Sequence, residues 1–139
     1  MTPKARPFEV ELPFEVKTYD IDFAGIVSNI VYIRWLEDLR LKILADYYPF
    51  EKMLAQGFAP VLVRTEIDYQ QPVKLLDNVV GRMWASDMGA KKMELTAEFL
   101  VDEQVVASAR QVGVMISLSD WRPIPLPEEL VRIYQEQYR

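Results

Sequence analysis

The segment from Tyr19 to Arg40 contains the residues with the clearest potential for chemistry. An acidic turn, Asp20-Ile-Asp22-Phe-Ala-Gly25, runs directly into a long amphipathic helical pattern. The first N–H groups of a helix have no intrahelical partner and carry a partial positive charge. A carbonyl oxygen held there would be polarised, while the nearby carboxylate attacks the carbonyl carbon or activates a water molecule. The simpler interpretation is that Asp22 only ends a strand or caps a turn, because Asp and Gly are ordinary turn residues.

Size and composition indicate one soluble globular domain spanning residues 1–139, because half of the residues are hydrophobic and 27% are charged. The net charge of −5 argues against a nucleic-acid partner, since neutralising phosphates requires a basic surface. No stretch approaches the roughly 20 apolar residues of a membrane span, and the N-terminus lacks the apolar run of a secretory signal. We therefore expect a cytoplasmic protein with no membrane partner.

Two residue types are absent from the sequence, and both absences narrow the chemistry. The chain has no Cys, which excludes disulfides, thiolate metal sites and cysteine nucleophiles. It also has no His, which excludes serine–histidine triads, histidine metal sites and histidine-based dehydratases. Acid, base or nucleophilic roles must fall to Asp, Glu, Lys, Tyr, Ser or Thr. No metal site and no cofactor are predicted.

Hydrophobic periodicity predicts an α+β fold. Alternation over residues 8–17 predicts a strand, and Pro13 suggests that this strand lies at an edge. A helical period from about Asn29 to Tyr47 places Tyr32, Leu36, Leu39 and Ile43 on one buried stripe. A short helical piece ends near Gly57, strands follow at about 61–69, 77–87, 91–101 and 104–118, and a terminal helix runs over residues 128–137. We expect a long central helix wrapped by a curved five-stranded antiparallel sheet.

The residues from Asp22 to Glu37, DFAGIVSNIVYIRWLE, resemble the signature of hotdog-fold acyl-CoA thioesterases of the 4-hydroxybenzoyl-CoA thioesterase type. That signature is roughly Asp-x-x-Gly-(His/Ile/Val)-Val, then Asn or a neighbouring residue, Tyr, and an aromatic-Leu-Glu run. Tyr69-Gln-Gln-Pro72 is similar to the family's Tyr-x-x-Pro motif, and the order of elements matches from about residue 8 to 135. The resemblance implies a hotdog fold and hydrolysis of an acyl- or aroyl-CoA thioester, a small-molecule substrate.

The resemblance also implies catalytic roles. Asp22 corresponds to the family's catalytic carboxylate, acting as nucleophile or as general base on water, whereas Asp20 is expected to be structural. Gly25 would lie beside the thioester, and a backbone N–H near Asn29 would bind its carbonyl oxygen. A thiolate is a good leaving group, so this chemistry needs no histidine as a strong acid.

Five further residues are predicted to bind substrate, and all of them except Arg82 have a simpler alternative. Ser28 stands where many relatives carry His or Tyr, and it either contacts the carbonyl or water or only caps the helix. Tyr32 lines the acyl pocket, or it is a core or dimer contact. Arg82, Lys91 and Lys92 would meet the phosphates of coenzyme A, but the two lysines also suit the solvated end of a hairpin.

Two alternative functions and an oligomeric state are also predicted. A hotdog module could hold acyl thioesters without turnover, or the enzyme could act on acyl carrier protein instead of coenzyme A. An exposed edge of a five-stranded sheet invites pairing with a second copy, which predicts a homodimer or homotetramer.

Overall fold

A computed structural model describes residues 6–137 of the protein. The central helix α1 spans Asn29–Tyr47, the range that the periodicity predicts. The described residues also form a short 3₁₀ helix (Thr18–Asp20), two further α-helices and six strands. These are β1 (Val10–Glu15), α2 (Phe50–Ala55), β2 (Phe58–Tyr69), β3 (Asn78–Met88), β4 (Lys92–Val101), β5 (Gln104–Ser117), β6 (Pro123–Ile124) and α3 (Glu128–Gln137).

The strands form one antiparallel sheet in the order β1-β3-β4-β5-β2. β1 and β2 are the two edges, and Pro13 lies on the edge strand β1 as predicted, where its missing N–H is tolerated. Asp102 and Glu103 join β4 to β5 with φ values of 49° and 66°. Two successive left-handed residues make the tight hairpin turn that the sequence predicts there.

Two features of the sheet differ from the prediction. β2 begins at Phe58, ahead of the predicted start near Val61, and it includes Pro60, which an edge strand accepts. The two-residue strand β6 pairs with Met115 and Ile116 of β5, so the sheet has six strands rather than five. The first residue of β6 is Pro123, and the three closely spaced prolines after β5 favour an end of the sheet rather than a further strand. In the part of the chain described, no helix has the length and apolar character needed to cross a membrane.

The core lies between one face of α1 and the inner face of the sheet. Leu36 and Leu39 are fully buried on this face, and Trp35 stacks on Phe14 of β1 with ring centroids 5.1 Å apart. Gly81 of β3 faces Phe14 and Leu39. A Cβ atom added there would lie 2.5 Å from Cε2 of Phe14 and 3.2 Å from Cδ1 of Leu39. The absence of a side chain at residue 81 therefore sets how closely the helix approaches the sheet.

Gly81→Ala should lower the free energy of unfolding by about 1–3 kcal/mol, because the added methyl group overpacks a closed region of the core. Urea unfolding followed by circular dichroism measures this change. Gly89→Ala is the matched control, since the nearest atom to its added Cβ is the Lys92 carbonyl oxygen at 3.8 Å. Equal unfolding midpoints for the two variants would contradict the close-approach argument.

Candidate active site

The acidic turn before α1 is closed by backbone hydrogen bonds. The N–H of Asp22 donates to the carbonyl of Ile26 at 2.8 Å, and the N–H of Gly25 donates to the carbonyl of Asp22 at 3.0 Å. Gly25 has a φ of 82°, a left-handed conformation that glycine adopts without steric cost. Ile21 pairs with Val27 in an antiparallel bridge across the turn. Residues 21–27 therefore form a small, closed loop that delivers the chain into α1.

The carboxylate of Asp22 is half-buried and held through one oxygen. Its Oδ1 accepts hydrogen bonds from the N–H of Ala24 at 2.8 Å and the N–H of Ile26 at 3.5 Å. Its Oδ2 has no hydrogen-bond partner among residues 6–137. Asp22 thus caps the turn, as the simpler interpretation predicts, and still has one oxygen free for chemistry.

Asp20 has a different environment. It is 6% exposed, and its Oδ2 accepts a hydrogen bond from the N–H of Lys17 at 2.8 Å. Its main-chain carbonyl accepts the N–H of Ser28 at 2.9 Å. Both ends of Asp20 are thus bound to backbone groups on either side of the turn, which agrees with a structural role.

The start of α1 presents free donors. Ser28 is the N-cap residue, but its side chain makes no capping hydrogen bond. The first backbone bond of the helix runs from the N–H of Val31 to the carbonyl of Ser28. Within the described chain, the N–H groups of Asn29 and Ile30 have no backbone acceptor, as expected at a helix start. Together with the helix dipole, these groups can polarise a carbonyl oxygen.

A cavity of about 350 Å³ adjoins this helix start. Both sequence motifs contribute to its walls. Asn29 and Tyr32, from the segment between Asp22 and Glu37, line one wall, and Tyr69, from the Tyr-x-x-Pro motif, lines another. The N–H of Val27 donates to the carbonyl of Val73 at 2.8 Å, and the Tyr69 hydroxyl donates to the Asn29 carbonyl at 3.4 Å. The complete lining is Ile26, Val27, Asn29, Tyr32, Tyr69, Gln70, Gln71, Pro72 and Val73.

The segment from Tyr69 to Val73 was absent from the residues predicted to bind substrate. Its Tyr-x-x-Pro motif was the signal that could have placed it there. The hydrogen bond from the Tyr69 hydroxyl to the Asn29 carbonyl joins residues 40 positions apart. Local sequence patterns do not predict a contact at that separation.

Tyr32 belongs mainly to the core. It is buried, with its ring centroid 5.1 Å from that of Tyr69 and 5.4 Å from that of Phe99. Burial, with a smaller contribution from Tyr69, raises the pKa of Tyr32 to about 12. The hydroxyl therefore remains protonated at neutral pH, and Tyr32 contributes a wall of the cavity rather than a base.

The three predicted phosphate-binding residues lie elsewhere. Arg82 is on the outer face of β3, where its Nε lies 3.4 Å from a carboxylate oxygen of Glu11. Lys91 and Lys92 are exposed at the turn between β3 and β4 and form no ion pair with a described residue.

The register of β5 gives the separation between the lysine turn and the acidic turn. Lys92 pairs with Val114 of β5, whereas Tyr69, beside the acidic turn, pairs with Ala107. These two positions on β5 are about 23 Å apart along an extended strand. One chain therefore does not bring Asp22 and the lysine pair together.

A long helix packed across an antiparallel sheet in this order is the hotdog fold. The structure of the DHNA-CoA thioesterase from Staphylococcus aureus superposes with a TM-score of 0.84 at 15% identity, covering 92% of this chain and 89% of that one. A 1,4-dihydroxy-2-naphthoyl-CoA thioesterase from Synechocystis superposes with a TM-score of 0.81 at 21% identity, covering 94% and 98% of the two chains.

The sequence profile of the thioesterase-like superfamily matches residues 16–133, and the chain belongs to that family. Membership identifies it as a thioester hydrolase. The long-chain acyl-CoA thioesterase FadM of Escherichia coli is 28% identical to it over 123 residues, which cover 87% of this chain and 93% of FadM.

Proposed function

We propose that this protein hydrolyses an acyl- or aroyl-CoA thioester to the free acid and coenzyme A, with Asp22 as the reacting carboxylate. Family membership and the likeness to FadM support the acyl-CoA class. The likeness to naphthoyl-CoA thioesterases keeps aromatic acyl groups within the proposal. A module that only binds acyl thioesters would not need a reactive carboxylate at this turn, and acyl carrier protein remains the alternative carrier.

One observation carries the assignment to Asp22. The turn that anchors this carboxylate through a single oxygen also leads directly to the free N–H groups of Asn29 and Ile30. A thioester carbonyl oxygen on those N–H groups would be polarised, which makes its carbon electrophilic. The carboxylate and the oxyanion donors are then fixed by the same short segment of chain.

Two routes are compatible with this arrangement. In the first, the free oxygen of Asp22 adds to the carbonyl carbon, the C–S bond breaks, and coenzyme A leaves as the thiolate. Water then hydrolyses the mixed anhydride and regenerates the carboxylate. In the second, Asp22 takes a proton from water as the hydroxide adds to the same carbon. The C–S bond then breaks, and the proton passes from Asp22 to the leaving thiolate, which regenerates the carboxylate.

Asp22→Asn should reduce hydrolysis by on the order of 10²–10⁴-fold, because an amide is neither nucleophile nor base at neutral pH. Thiol release from a panel of acyl- and aroyl-CoA esters measures this loss, and circular dichroism checks that the variant is folded. Asp20→Asn is the control and should have a milder effect on rate. A folded Asp22→Asn protein with near-wild-type turnover would disprove the assignment.

We further propose that the active site is shared between two subunits. The edge strand β2 exposes Val61 and Val63, which are 38% and 58% exposed. In antiparallel pairing of two β2 strands about a two-fold axis, the start of one strand meets the end of the other. The lysine turn of one subunit lies near the start of β2, and Asp22 lies near its end. Pairing would therefore bring Lys91 and Lys92 of one chain toward Asp22 of the other.

Light scattering should therefore give a mass of two or four times the 16.2 kDa of one chain. Val63→Lys should weaken this assembly, because it places a charge on the exposed edge. Thiol release should fall in parallel with the loss of dimer. A 16.2 kDa species with full activity at nanomolar concentration would rule out a shared site.

Replacing both Lys91 and Lys92 with Ala should raise KM for coenzyme A esters and leave short pantetheine thioesters almost unchanged. Only the full nucleotide carries phosphates for these charges to meet. Lys42→Ala is the control, since Lys42 is an exposed lysine on α1 that pairs with Asp46. An equal effect on both substrate types would show that the two lysines do not bind the nucleotide.

A further inference from the structure

The turn between β5 and β6 carries the most exposed tryptophan of the chain. Trp121 is 70% exposed, whereas Trp35 is buried in the core and Trp84 is half-buried, with the guanidinium of Arg6 3.8 Å above its ring. The ring of Trp121 has no aromatic or cationic partner within residues 6–137. Burial of a tryptophan removes a large apolar area from water, and this position gives up most of that gain.

The backbone of Trp121 has a conformation that bulky residues rarely adopt. Its φ is 62°, in the left-handed region that favours glycine. The N–H of Trp121 donates to the carbonyl of Ser117 at 2.8 Å, and the N–H of Ser117 donates to the carbonyl of Arg122 at 2.8 Å. The N–H of Arg122 donates to Oδ1 of Asp120 at 3.1 Å. Residues 117–122, the tryptophan turn, therefore hold an exposed ring on a strained and hydrogen-bonded backbone, a combination that is typical of functional sites.

The tryptophan turn lies between the start of β2 and the lysine turn. The N–H of Leu118 donates to the carbonyl of Gly57 at 2.9 Å, and Gly57 immediately precedes β2. After β6, the N–H of Leu126 donates to the carbonyl of Ala90 at 2.9 Å, in the turn that carries the two lysines. Two backbone hydrogen bonds thus fix the tryptophan turn and the segment after it at this end of the sheet.

The register of β5 gives the separation between the ring and the lysine charges. Lys92 pairs with Val114, and the backbone of Trp121 bonds to Ser117, which is three residues, or about 10 Å, further along the strand. Arg122 is exposed as well, and neither it nor the two lysines form an ion pair with a described residue. Three unneutralised cations therefore lie close to one exposed aromatic ring.

This combination of groups suits a nucleotide. A base stacks on an aromatic ring, while its phosphates pair with lysine and arginine side chains. An aliphatic ligand would use the ring without the charges, and inorganic phosphate would use the charges without the ring. The net charge of −5 argues against a nucleic-acid strand, which needs a long basic surface. A single phosphorylated nucleotide uses both features.

We propose that Trp121 stacks on the adenine base of coenzyme A, with Arg122 beside the phosphates that Lys91 and Lys92 meet. This inference rests on the proposed function, which supplies coenzyme A as the carrier of the acyl group. The hydrogen-bonded turn holds the ring in place before the ligand binds, so stacking costs little conformational entropy. The phosphopantetheine arm of acyl carrier protein has no base. Trp121 therefore selects coenzyme A over acyl carrier protein.

Trp121→Gly tests the proposal, because glycine adopts this φ without steric cost and keeps the turn. The KM for an acyl-CoA should rise at least about fivefold, and the KM for the same acyl-phosphopantetheine should not change. The KM for the acyl-dephospho-CoA, which keeps the base, should rise by the same factor as that for acyl-CoA. Trp121→Phe, which keeps a smaller ring, should give intermediate values, and kcat should stay constant throughout. An unchanged KM for acyl-CoA, or an equal rise for acyl-phosphopantetheine, would overturn the proposal.

Tryptophan fluorescence measures the contact without turnover. Coenzyme A should quench the fluorescence of the full chain, because its base covers the exposed ring, whereas phosphopantetheine should not. Trp121→Phe should lose this quenching. Trp84→Phe is the matched control and should retain it, since the ring of Trp84 is already covered by Arg6. Quenching that persists in Trp121→Phe would place the base elsewhere.

Light scattering distinguishes base binding from a role of Trp121 in assembly. Trp121→Gly should have the mass of the wild-type protein, and a lower mass would identify Trp121 as a subunit contact and overturn the proposal. Failure of this inference is distinct from failure of the proposed hydrolysis. A protein that releases thiol with the same KM in wild type and Trp121→Gly contradicts only the base site. A protein that shows the expected quenching but releases no thiol contradicts only the hydrolysis.

Discussion

The packing of α1 against the inner face of the sheet is the interaction on which the rest of the structure depends. Leu36 and Leu39 are removed from solvent there, and each fully buried side chain of this size contributes about 1.5–3 kcal/mol. Gly81 permits the close approach, and Phe14 and Trp35 close the gap beside it. Because the middle of the helix is fixed in this way, its two ends are fixed as well. Its N-terminus meets the acidic turn and the end of β2, and its C-terminal half lines an apolar cavity together with Met53, Leu95 and Met115.

The parts of the fold that local patterns specify were predictable. The bounds of α1 and its buried stripe follow from a long helical period, and the hairpins follow from alternation interrupted by short turns. β6 was not predictable, because a two-residue strand that begins with Pro123 has no periodicity to detect. The start of β2 at Phe58 was not predicted, because a proline such as Pro60 usually ends a strand. An edge strand nevertheless accepts proline, and β2 is an edge strand.

The candidate site was predictable only in part, for a similar reason. Asp22, Gly25 and the helix start lie within one continuous segment, so their proximity follows from sequence order. The wall around Tyr69 comes from the far end of β2 and depends on the fold. The side-chain partner of Arg40 was not predictable either. Its contact with Gln111 joins two residues 71 positions apart, and Gln111 lies within an apolar run.

The distribution of ion pairs bears on how an acidic protein could meet the phosphates of coenzyme A. On the outer face of the sheet, Arg82 pairs with Glu11 and Arg110 pairs with Glu66 and Glu94. Exposed pairs of this kind contribute only about 0–1 kcal/mol to stability, but they neutralise the charges involved. Lys91 and Lys92 make no such pair with a described residue, so their charges remain unneutralised.

Charge also distinguishes substrate from product at the start of α1. The half-buried carboxylate of Asp22 would repel an anion, so it suits a neutral electrophile such as a thioester carbonyl. The free N–H groups of Asn29 and Ile30 lie at the positive end of the helix dipole and can bind the oxygen of that carbonyl. Hydrolysis turns the neutral thioester into a carboxylate, which the charge of Asp22 repels. The charge that reacts with the substrate therefore also favours release of the acid.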